Sequence, residues 1–180
     1  RYRHRALTTG HARLCRLPTA DQPPVPSRSD QLLGHDNDLE YVEIHNPTAA
    51  PVDLVGWQLA GGIEFTFGAG AVLSAGEALV VVSFDPDRGE NADRVAAFRQ
   101  QYALDPGVAL VGGYNGRLSN SGKPVRLLRV DPTSGGNATS AALTWEDETV
   151  YDDLPPWPTE ADGGGQSLVR SSGNSPGHLA

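Results

Sequence analysis

The chain has 180 residues, 38% of them hydrophobic, enough for one sizeable core and too few for a second full domain. Its formal charge is -8, unevenly placed: residues 1–28 carry six arginines against Asp21, the remainder eight Lys+Arg against twenty-one Asp+Glu, and so acidic a body argues against general nucleic-acid binding. No apolar run approaches the ~20 residues of a membrane span, and the single cysteine, Cys15, excludes an internal disulfide and a cysteine-built metal site.

In chain order, residues 1–38 show no sustained apolar period and include "TADQPPVPSRSD", so they read as a basic, Pro-rich linker or N-terminal extension. The texture changes at Leu39. "LEYVEIHN" (39–46), with Glu40 and Glu43 among its apolar residues, predicts a strand with a polar face, ended by Asn46 and Pro47. Short strands follow within "PVDLVGWQLA" (51–60), broken at Gly56, and in "IEFTF" (63–67). A Gly-rich turn and a polar corner at Ser74 to Glu77 lead into an apolar strand, Ala78 to Val82.

"NADRVAAFRQQYAL" (91–104) breaks the rhythm, with Val95, Phe98 and Tyr102 at helical spacing and Asn91 or Asp93 placed to cap the first turn. It predicts one short helix near residues 91–103, its aromatic stripe packed in the core. Strands resume at "VALVG" (108–112), "PVRLLRV" (124–130), "AALTW" (141–145), "ETVY" (148–151) and "SLVR" (167–170). Many short Val- and Thr-rich strands punctuated by Gly and Pro predict an all-β sandwich or barrel with one inserted helix. The domain spans 39–171, with 172–180 a C-terminal tail.

Catalytic patterns are missing. The histidines, His4, His11, His35, His45 and His178, form no HExxH or paired-ligand spacing. No GxSxG elbow occurs, and "GAGAVLSAG" has neither GxGxxG nor a phosphate-loop lysine. Glu40 and Glu43 stand at i and i+3, on opposite faces of a strand, where they cannot serve one substrate together. "HDNDLE" and "DPDRGENAD" place oxygen ligands at alternate positions as calcium requires, making Asp36, Asp38, Asp85 and Asp87 the candidate ligands. Neither loop has the twelve-residue EF-hand register. A solvated turn with a helix cap accounts for both.

Four motifs carry a family resemblance: "EYVEIHNP" at 40–47, "DLVGW" at 53–57, "LSNSG" at 118–122 and "PWPTEADGGGQSL" at 156–168. In this order, from Leu39 to Arg170, the chain resembles the lamin tail domain in its bacterial form. The resemblance implies an immunoglobulin-like β-sandwich, noncatalytic, of the kind found as an accessory domain beside nucleases, kinases and adhesion-type repeats. The motif residues read as architecture. Trp57 is expected in the core, Asn46 at a turn, and Ser119 and Gly122 in a tight turn. Trp157, framed by Pro156 and Pro158, is expected to anchor one end of the sandwich, with Asp162 bonding the turn and Gly163 and Gly164 bending the chain into the last strand.

The functional expectation is an interaction or attachment module of a larger secreted or cell-envelope-associated bacterial protein, since Arg1 opens the chain and methionine is absent. Its partner would be a protein or cell-surface component. The alternatives are a calcium-stabilised extracellular module and a nucleic-acid accessory domain using Arg1 to Arg28. Calcium is the one cofactor the acidic loops suggest, and an enzyme is the reading with least support.

Overall fold

The computed structural model describes residues 13–18, 39–119, 121–131, 142–152, 154 and 167–169, with the backbone alone at 13–18 and 169. The first sheet is built on β2 (Tyr41–His45) and β7 (Ala78–Val82), paired antiparallel from Tyr41 opposite Val82 to His45 opposite Ala78. Beyond β2 lie β1 (Arg13–Pro18) and then β12 (Ser167–Val169), both antiparallel. On the far side β8 (Ala109–Gly112) pairs parallel with β7.

The second sheet runs in the order β11 (Leu143–Val150), β10 (Pro124–Val130), β4 (Gln58–Gly61), β5 (Ile63–Thr66) and β9 (Asn115–Gly116), all antiparallel. A two-stranded ribbon, β3 (Val52–Asp53) with β6 (Val72–Leu73), completes the described strands. This is the all-β arrangement predicted from the strand spacing, with one α-helix among the described residues, α1, at Ala92–Gln101.

The main core lies between the sheets. Val42, Ile44, Leu79 and Val81 face Leu59, Ile63, Val125 and Leu127, while Leu54, Trp57, Phe67 and Leu73 close one end. Each such side chain removed from water contributes about 1.5–3 kcal/mol. A second core covers the other face of the first sheet: Tyr41, Val80, Val82 and Phe84 pack against Phe98, with Val95, Tyr102, Leu104, Val108 and Leu110 around them. Phe98 meets Tyr41 edge-on at 5.7 Å and Tyr102 at 4.9 Å. The unbroken run Ala78–Val82 follows from these two cores. Alternate residues of a strand point to opposite faces, and both faces are covered. A parallel pair cannot be joined by a hairpin, so α1 is the crossover that carries the chain from β7 to β8.

Several details differ from the sequence reading. Arg13–Pro18, inside the stretch read as linker, is a strand with a register shift between Leu14 and Arg16. That bulge breaks the two-residue alternation by which strands are recognised. The runs at 141–145 and 148–151 are one strand, again with a register shift, where Leu127 faces Asp147 and Leu128 faces Trp145. Asn91 precedes α1 but makes no side-chain cap. Its amide donates to the Asp85 carbonyl at 2.8 Å, and its oxygen accepts from Arg94 at 3.1 Å.

Candidate functional site

Three of the four motifs meet around the start of β2. Glu40 does not join a polar face: it is 1% exposed, and its carboxylate accepts the Leu118 N–H at 2.7 Å, with the Tyr114 hydroxyl at 3.4 Å. Alternation puts Glu40 on the same face as Val42 and Ile44, toward the main core, and burial of a charge is tolerated there because hydrogen bonds replace water. Next to it, the Tyr41 hydroxyl shares a 2.9 Å hydrogen bond with Ser167. Glu43 is half-buried in β2, in register with Val80 and with Arg16.

The turn at 119–122 closes through the Gly122 N–H, which donates to the Ser119 carbonyl at 3.1 Å. Gly122 has φ +82°, and a Cβ there would collide with the Tyr151 carbonyl oxygen. Burial pushes the phenols of Tyr102 and Tyr151 well above the ordinary tyrosine range. The Tyr41 phenol and the Glu40 charge add to this at Tyr102, and Glu40 does so at Tyr151. The Ser119 backbone pulls the Tyr151 phenol back down, and among the described residues its buried hydroxyl has no hydrogen-bond partner.

Asn46 stands apart, at the other end of β2. It is fully buried, and its amide donates to the carbonyls of Ala50 at 2.8 Å and of Leu73 and Ser74 at 3.0 Å each. Its oxygen accepts the Thr48 N–H at 3.0 Å and hydroxyl at 2.7 Å. One amide thus ties two loops and the end of β6 together. Gly56, at φ +77°, donates its N–H to the Phe67 carbonyl at 2.9 Å, and this turn places Trp57 in the main core. Trp157, Asp162, Gly163 and Gly164 lie outside the described residues, as do Asp36 and Asp38.

Of the acidic candidates, Asp85 accepts the Asp87 N–H at 3.1 Å and pairs with Arg88 at 3.4 Å. No group of three or more His, Cys, Asp or Glu placed to hold a metal ion occurs among the described residues. The polar groups just described bond one another and the backbone, a pattern of structural support.

The family description Lamin Tail Domain matches residues 24–148. The chain belongs to the lamin tail domain family. No curated protein matches it. A lamin tail domain is a noncatalytic immunoglobulin-like module, and membership gives the two-sheet sandwich its fold family.

In this lamin tail domain the outer face of the second sheet exposes apolar side chains. Trp145 is 55% exposed, with Val150 (52%) and Leu143 (36%) toward the ends of the same strand. The register puts Leu128 between Gln58 and Trp145, and Arg126 between Ala60 and Glu148. The Arg126 guanidinium lies 5.0 Å from the centre of the Trp145 ring and bonds Glu148 at 2.7 Å. The indole is therefore held flat with one side braced. Sequence reading treated "AALTW" only as a strand; a tryptophan on the solvent side of an edge strand was the signal it passed over.

Proposed function

We propose that this lamin tail domain is an interaction or attachment module of a larger secreted or cell-envelope-associated bacterial protein, and that it holds its partner on the face around Trp145. The observation that carries the reading is the braced, exposed indole opposite Leu128, with Leu143 two residues before it on the same strand. Interface energy concentrates in Trp and Arg anchors of this kind. The partner is a protein or a cell-surface component. The described residues include no helix long and apolar enough to cross a membrane.

The test is photo-crosslinking of the full parent protein in its own cells, comparing wild type, Trp145→Ala and Val72→Ser. Val72 is 58% exposed on the ribbon, away from the proposed face. The expected result is one envelope-fraction adduct, lost in Trp145→Ala and kept in Val72→Ser. Adducts unchanged by Trp145→Ala would reject the face, and a parent protein confined to the cytosol would reject the localisation.

A further inference from the structure

We propose that the outer edge of β8 is a second binding site, taking an extended, basic peptide segment of a partner protein as an added strand. β8 ends the first sheet and has one neighbour there, β7. The Gly113 N–H donates to Val82 at 3.1 Å, so by the two-residue period Ala109 and Val111 also turn their backbone groups toward β7. Leu110 and Gly112 then turn theirs outward. Among the described residues no strand takes these N–H and C=O groups. They recur two residues apart, roughly 6.6 Å, a spacing that another extended backbone matches.

Natural sheets blunt such edges with lysine, proline or a bulge, because an open ladder recruits any strand. β8 reads Ala-Leu-Val-Gly and has none of these. Its pairing with β7 is regular from Ala109 to Gly112. At Gly112 there is no side chain to shield the outward groups.

Charge selects the occupant. Residues 85–105, which lead into β8, hold five carboxylates (Asp85, Asp87, Glu90, Asp93 and Asp105) against Arg88, Arg94 and Arg99. Arg88 pairs with Asp85 and Glu90, Arg94 lies over the Phe84 ring and Arg99 bonds the carbonyls of Asp105 and Val108, so three arginines against five carboxylates leave the segment with a net charge of -2. A second copy of the chain would bring the same -8 charge and be repelled, whereas a lysine- or arginine-bearing segment is drawn in. The site lies on the first sheet and does not depend on the Trp145 face.

The test titrates the isotope-labelled 180-residue chain with a short end-capped peptide alternating lysine and valine, following amide hydrogen exchange by NMR. Expected is slowed exchange at Leu110 and Gly112. Binding should weaken about threefold in Ala109→Lys and strengthen about as much in Ala109→Glu. Ala109 is exposed, so both variants keep the fold, and only an edge that reads charge reverses sign between them. A copy of the peptide N-methylated at alternate residues should not bind. Unprotected Leu110 and Gly112 amides, equal binding by the methylated peptide, or protection that grows with protein concentration alone would each overturn the proposal.

Discussion

Asn46 shows how much one buried amide can organise. Its donors serve the buried carbonyl of Leu73 and the part-buried ones of Ala50 and Ser74, and a buried carbonyl left without a donor costs roughly 1–3 kcal/mol. Asn46→Ala is expected to destabilise the domain by about 3 kcal/mol. That corresponds to roughly 10 °C in melting temperature. Asn46→Asp keeps the shape but replaces the donor with an acceptor, and should be at least as damaging. Thermal melting followed by circular dichroism checks both, and a shift within the error of the melt in either would show that these hydrogen bonds carry no net stability. The sequence before Pro47 is enough to read Asn46 as a turn residue. Its reach to Leu73 and Ser74, some twenty-seven positions on, depends on the fold.

At the level of elements, the end of α1 carries a local mismatch. Leu104 and Ala103 donate their N–H groups back to Arg99 at 2.9 Å and Gln100 at 3.3 Å, the pattern of a helix end that needs one left-handed residue. Ala103 fills that place at φ +47°. The left-handed penalty is ~1–2 kcal/mol. Glycine would remove it while losing ~0.4–1 kcal/mol through a freer unfolded chain. Ala103→Gly is thus expected to stabilise by about 0.5–1 kcal/mol, seen as a higher urea midpoint at unchanged slope. A lower midpoint would mean the loop supports alanine better than its backbone geometry implies. The same elements show what could be read ahead of the structure. β10 and β7 match the predicted spans because their apolar patterns are unbroken. β1 and the middle of β11 escape notice because their bulges interrupt the period, and Glu146, buried and bonded to Arg129 at 2.9 Å, falls between the two runs read as separate strands. The parallel placement of β8 could not be read either, since its partner is chosen by the α1 crossover.

For the whole molecule, the raised tyrosines set an alkaline limit. A phenol whose folded pKa lies above its unfolded value near 10 holds its proton longer in the folded state. The stability it contributes is fully present below about pH 10 and is lost as pH rises through the folded value. Phenolate absorbance from Tyr102 and Tyr151 should therefore appear only together with unfolding, and Tyr102→Phe with Tyr151→Phe should remove that part of the alkaline transition. Smooth titration of every tyrosine without loss of structure would contradict it. The pairing of β1 with β12 has a different kind of consequence. Because these strands are antiparallel, with Arg16 opposite Val169 and Arg13 three residues beyond, the polypeptide enters and leaves the sheet at the same end, roughly 10 Å apart. A domain with such neighbouring ends can be spliced into a surface loop of a host protein without stretching it. If that host is pulled, the tension opens the β1–β12 ladder one pair at a time instead of shearing all its bonds together, so the terminal strands would part at low force and draw Leu168 out of the main core while the second core, under α1, stays closed.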